Sequence, residues 1–153
     1  MQLVGERRGS IVKLGMVLAV LLMLGFVAPK HAEAATSSEL QMASLINKAR
    51  VSHGRAPLRF NYSMARLARR HSATMASRNL LYHNPYLAQW YSTWSWRILG
   101  ENVGVGSSVA SLHVAFMNSK PHRANILDRR FRNVGVGIVV RNGRTWVTVN
   151  FLG

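Results

Sequence analysis

The sequence predicts an α+β domain in which helices pack on a sheet. Three features carry that expectation. Apolar residues recur at helical spacing in three segments between Leu40 and Phe116, residues 134–151 alternate apolar and polar as strands do, and Asn142-Gly143 interrupts the alternation as a two-residue hairpin turn would.

The chain starts with a segment that reads as an address. Arg7, Arg8 and Lys13 precede an uncharged apolar run over residues 14–29, and Ala32-Glu33-Ala34 places small residues two apart, as a signal-peptidase site requires. At 16 residues the run is shorter than the ~20 that a bilayer-spanning helix needs. Residues 1–34 are therefore expected to be a secretory signal peptide cut near Ala34 or Ala35, with an uncleaved anchor as the alternative, and residues 35–153 to be one exported domain.

The first helix is expected over residues 38–52. Thr36 and Glu39 match a capping box, Leu40, Ala43, Ile46 and Ala49 keep one face apolar, and Gly54 is a natural stop. A second helix runs from a cap at Asn61 to about Arg78, with Met64, Leu67, Ala68, His71 and Met75 as its apolar stripe, so His71 falls on or beside the buried face. Residues 79–100 have no clean period and are crowded with Tyr82, Tyr86, Trp90, Tyr91, Trp94 and Trp96, which predicts a long loop. Trp90 and Trp94 are four apart with polar residues between them, so a helical turn there would present both indoles as a lipid-facing rim, while Trp96 is assigned to the core. A strand near residues 101–105 leads to a third helix, capped by Ser107 or Ser108, that carries Val109, Leu112, Ala115 and Phe116 and ends before Pro121. A short helical turn over residues 122–127 precedes the C-terminal antiparallel hairpin.

Composition narrows the chemistry. With no cysteine there is no disulfide framework, thiolate zinc site or cysteine nucleophile. Four of the 20 basic and two of the five acidic side chains fall in the first 34 residues, so the remainder carries 16 bases against three acids, and 14 of those bases are Arg. An exported domain of net charge +13 faces anionic envelope polymers and lipid head groups, so no nucleic-acid partner is expected. Among the three acids, Glu39 is assigned as a cap and Asp128 to a local ion pair with the adjoining arginines, which leaves Glu101. That supply disfavours a glycosidase, which needs two facing carboxylates, and the motifs of α/β-hydrolases and P-loop proteins are missing. His83, His122 and Glu101 are the suggestive remaining groups; they lie 18 and 21 residues apart, so only tertiary folding could gather them. His71 is expected in the helix–sheet core and His113 on a helix surface.

The order of short motifs resembles a known family. Ala65-Arg66-Leu67-Ala68 leading to His71-Ser72-Ala73-Thr74-Met75, then His83-Asn84, Gly100-Glu101-Asn102-Val103, Phe116-Met117-Asn118-Ser119, His122-Arg123-Ala124-Asn125-Ile126-Leu127 and Val134-Gly135-Val136-Gly137 is similar to the CAP superfamily, and more narrowly to the bacterial SCP-like extracellular proteins. The resemblance spans about residues 38–153. It implies a three-layer α-β-α sandwich and a central cavity in which two His and two Glu meet, often with a divalent ion such as zinc between the histidines. By motif, the cavity residues are His83, Glu101, Ser119 and His122, with His83, His122 and Glu101 as the implied metal ligands. Ser119 stands where eukaryotic members carry the second Glu, a departure that removes a candidate general base and disfavours hydrolysis. The expected function is non-enzymatic binding of a lipid or cell-envelope ligand by a secreted or envelope-associated protein. A metal-dependent protein or peptidoglycan hydrolase, and a basic scaffold with an inert cavity, are the alternatives.

Overall fold

A computed structural model describes residues 35–153; the expected leader and its cleavage site lie outside the described residues. The elements are α1 (Ser37–Ser52), β1 (Arg59–Phe60), α2 (Tyr62–Arg78), α3 (Leu87–Trp90), β2 (Leu99–Gly106), α4 (Val109–Asn118), α5 (Lys120–Leu127), β3 (Asn133–Arg141) and β4 (Arg144–Leu152). The four strands form one sheet in the order β1-β3-β4-β2. β3 and β4 form the predicted hairpin, and both Asn142 and Gly143 take the positive φ that this turn demands. β2 pairs antiparallel with β4 and forms one edge, while β1 adds a two-residue parallel pairing to β3 at the other.

The two faces of the sheet are written in the alternation of β3. Val134, Val136 and Ile138 point to one face, where they pack with Met42 and Ile46 of α1, Leu112 and Phe116 of α4, Ile126 of α5 and Val147, Val149 and Phe151 of β4. Gly135 and Gly137 point to the other face, and α2 rests directly on them: a Cβ at Gly135 would overlap Met64, and one at Gly137 would overlap the backbone of Ala68 and Arg69. Ser72 closes this contact by donating to the Gly137 carbonyl at 2.9 Å. Helices therefore cover both faces, as a three-layer α-β-α sandwich requires.

The capping box at Thr36 and Glu39 forms, but Glu39 does more than cap. Fully buried, its carboxylate accepts from Thr36 N at 2.8 Å, Ile138 N at 3.1 Å and the Arg69 guanidinium at 2.6 Å, so one side chain joins α1, β3 and α2. Burial pushes its pKa up, but the Arg69 hydrogen bond and the two backbone donors outweigh that and hold it below the ordinary carboxylate value. Asp128 pairs with Arg130 at 2.7 Å in the predicted local fashion.

The aromatic loop departs from its expected geometry. A helical turn is present as α3, but Trp90 and Trp94 do not form a free rim: together with Trp96 they are half-buried against Met64, Tyr91 and Leu152. The fully buried member is Tyr91, whose hydroxyl accepts from Asn150 at 3.0 Å. Its pKa is pushed up to about 12, chiefly by burial. The indoles thus supply the apolar cover that Leu152 and Met64 need at this end of the sheet.

His113 also departs from the surface role expected of it. It is half-buried, its Nε2 is shielded from solvent without a partner, and burial lowers its pKa, although the carbonyl of Leu45 on α1 pulls the other way. A lowered folded-state pKa favours the neutral ring, so its stabilising contribution is complete above the ordinary His value of 6.5 and is lost as pH falls below it. The melting temperature is expected to decline between pH 7 and pH 5, and more shallowly in His113→Phe than in the wild type. Parallel declines in thermal scans would show that this ring does not contribute.

Candidate functional site

Folding brings together what sequence spacing could not. His83 leaves the loop after α2 and its Nδ1 lies 2.9 Å from Glu101 Oε1. The same oxygen accepts from Asn84 N at 2.9 Å, so the carboxylate is tied to two successive loop residues. Glu101 is buried and lies opposite Asn150 in the β2–β4 register, on the face of the sheet that α2 covers. His71, buried on α2 as expected, fixes the loop from below through a 2.9 Å contact between its Nε2 and the Tyr82 carbonyl.

His122 approaches from the opposite layer. Residues 122–127, expected as a short turn, belong to the eight-residue helix α5, which begins at Lys120 with Pro121 in its first turn. Two asparagines and an arginine set its position. Asn102 points to the α5 side of β2 and donates to the His122 carbonyl at 3.0 Å, while Asn125 donates to Asn102 Oδ1 at 2.9 Å and to the Glu101 carbonyl at 3.1 Å. Arg50, 1% exposed, reaches from α1 to the carbonyls of Ile126 at 2.7 Å and Asp128 at 2.9 Å, where the helix has unpaired acceptors. Because β2 is a sheet edge, groups from both faces meet around it.

The His122 ring is half-buried, 5.1 Å from the ring of Phe116. Its Nδ1 lies 2.8 Å from Ser119 Oγ, so the serine is the side-chain partner of this histidine. Burial lowers the His122 pKa, and the charge of His83 lowers it further. Both imidazoles are thus anchored at Nδ1 and keep Nε2 without a protein hydrogen bond. Glu101 Oε2, Asn150 Oδ1 and Asn84 Nδ2 are buried without a protein partner. Among the described residues no group of three or more His, Asp or Glu is gathered in metal-binding geometry.

The polar scaffold of the site, Asn84, Asn102, Asn125, Tyr91, Asn150 and Arg50, escaped the reading of individual residues. A partial signal existed in β2, where Asn102 interrupts an apolar strand and faces a helix rather than solvent.

Residues 43–151 match the family described as CAP, the cysteine-rich secretory protein family. The chain belongs to the CAP family. It does so without a single cysteine, so its sandwich rests on core packing and buried polar contacts alone. This CAP domain is 32% identical over 122 residues to the uncharacterized protein YkwD of Bacillus subtilis, covering 75% of this chain and 47% of the relative. Among solved structures, an extracellular protein of Bacillus anthracis containing an SCP domain matches with a TM-score of 0.67 at 27% identity, over 75% of this chain and 40% of that one. An outer surface protein of Borrelia burgdorferi matches with a TM-score of 0.69 at 13% identity, over 78% and 95%, and shares the fold. The chain spans about half the length of the curated relative it matches. It is a CAP domain of the bacterial SCP-like type.

Proposed function

We propose that this CAP domain is an exported module that binds an anionic component of the cell envelope and does not hydrolyse it. One observation carries the reading: each of the two histidines already has its partner, Glu101 for His83 and Ser119 for His122. Glu101 Oε1 also accepts from the Asn84 backbone, and with Ser119 beside His122 no second carboxylate among the described residues stands in the constellation to take a proton from water. The +13 charge of residues 35–153 supports an anionic partner, and the description of the Bacillus anthracis relative as extracellular supports export.

A divalent ion fits the donor set in a limited way. His83 and His122 would hold it through Nε2, and Glu101 and Ser119 would aim the rings through Nδ1, the arrangement by which outer partners orient metal-binding imidazoles. Two protein nitrogens with water completing the shell make a weak site. Bound there, a cation would add local positive charge for an anionic ligand.

The test is cosedimentation with phosphatidylglycerol vesicles and with isolated anionic cell-wall polymer at low and high ionic strength. Several arginine contacts screened together should give capture at low salt and release at high salt. Failure to pellet with either material at low salt would overturn the envelope-binding reading.

A further inference from the structure

A cleft lies on the outer side of α2, where the loop that carries His83 folds back. Its volume is about 370 Å³, and its lining includes Arg70 and Arg78 from α2 with Tyr82, Asn84, Tyr86 and Trp90 from the loop. No Asp or Glu lines it. We propose that this cleft is a binding site for an acidic saccharide, a sugar bearing carboxylate or phosphate. The proposal rests on the envelope-binding reading and names the ligand class and the place where it is held.

Three observations point to that chemistry. The cations are held over the cleft: the Arg70 guanidinium lies 5.1 Å from the centre of the Trp90 ring, and Arg78 Nη1 lies 3.4 Å from the Tyr82 hydroxyl. Arg70 and Arg78 stand eight residues apart on one helix, about 12 Å along its axis, so they face successive parts of an extended ligand. Forked guanidinium donors suit carboxylate and phosphate oxygens.

The aromatic side chains supply apolar surface with polar edges. Tyr86 is 60% exposed although nothing in the domain core requires it there, and Tyr82 is half-buried against His71 with ring centres 5.1 Å apart. Such rings match the mixed surface of a pyranose, apolar on its C–H faces and polar at its hydroxyl rim.

The third observation is Asn84. Only 7% exposed, it accepts from Tyr86 N through Oδ1 at 3.0 Å, which fixes the orientation of its amide. Its Nδ2 is then a buried double donor without a protein partner, on a residue that belongs to the cleft wall. A small shift of the Asn84 side chain would open this donor to a sugar hydroxyl or carboxylate oxygen. The backbone N–H of the same residue holds Glu101, so occupation of this cleft bears on the loop that positions His83.

The purified protein is titrated with trigalacturonate, with a neutral trisaccharide of comparable size and with inorganic phosphate, following the indole N–H resonance of Trp90 and the heat of binding. The expected result is saturable binding of trigalacturonate with a shift of Trp90, at least tenfold weaker binding of the neutral sugar and of phosphate, at least a tenfold loss in Arg70→Gln/Arg78→Gln and a several-fold loss in Tyr86→Ala. The Tyr86 variant changes an exposed side chain, so its fold is expected to survive and its loss reports on the cleft. No saturable shift at millimolar sugar, or equal binding to the double variant, would overturn the proposal. Phosphate binding as tight as the sugar would overturn it too, because the rings would then contribute nothing. If the wild type shows no saturable trisaccharide binding yet pellets with cell-wall polymer in a salt-reversible way, the polymer docks elsewhere: this inference falls while the envelope-binding reading stands.

Discussion

Gly137→Ala is expected to cost at least 3 kcal/mol, the top of the ~1–3 kcal/mol range for overpacking, and to prevent folding in much of the expressed protein. The added methyl would meet the backbone of Ala68 and Arg69, which cannot rotate away as a side-chain tip could. α2 would have to lift from β3, breaking the Ser72 contacts to the Gly137 carbonyl and to Thr148 Oγ1, each 2.9 Å long. Urea denaturation of any soluble product checks this. A midpoint within experimental error of the wild type would show that the helix does not rest on the strand as described.

Arg50→Met is expected to cost about 3–5 kcal/mol, since three carbonyls lose a charged donor at ~1–3 kcal/mol for each that is left buried and unpaired. Methionine keeps much of the apolar stem but loses the donors to Ala56 O at 2.8 Å, Ile126 O and Asp128 O, leaving buried acceptors without partners. Burial lowers the Arg50 pKa while the Asp128 carboxylate pulls it the other way, and the three carbonyls take up the donors that burial strips of water. The damage should reach function, since Ile126 and Asp128 end the helix that begins beside His122. Thermal denaturation gives the stability change. Amide exchange should show α5 opening well before α2, and uniform protection across both would argue against Arg50 as the clamp on this helix.

Local chemistry made much of the fold legible. The capping box at Thr36 and Glu39, the Asn61 cap of α2 and the Ser108 cap of α4 are contacts over three residues, and each is present. The Asn142-Gly143 turn is likewise decided by residues that tolerate positive φ. The alternation of valine with glycine in β3 held more than a strand signal, for it distinguishes the face that receives side chains from the face that receives a helix backbone. β1 was not legible because two residues carry no period, and it exists only through its pairing with Asn133 and Val134.

The candidate site residues came from family resemblance and not from spacing. The residues named were His83, Glu101, Ser119 and His122, and the geometry pairs the first two and the last two. What remained hidden is the set of long-range polar contacts, such as Arg50 to α5 and Tyr91 to Asn150, because an arginine in a last helical turn or a tyrosine in an aromatic loop reads locally as surface. The same limit misplaced Trp90 and Trp94, whose spacing says that they share a side but not which side is covered. His113 was misjudged for the analogous reason, since its neighbour Leu45 lies on a different helix.

We propose that Glu101 and Ser119 aim the imidazoles of His83 and His122 at a weak cation site. Calorimetric titration with Zn²⁺ at neutral pH tests it most directly, on the wild type, Glu101→Gln and the His83→Ala/His122→Ala double variant. The account predicts one weak site in the wild type, a looser one in Glu101→Gln and none in the double variant. Unchanged zinc affinity in the double variant would contradict it.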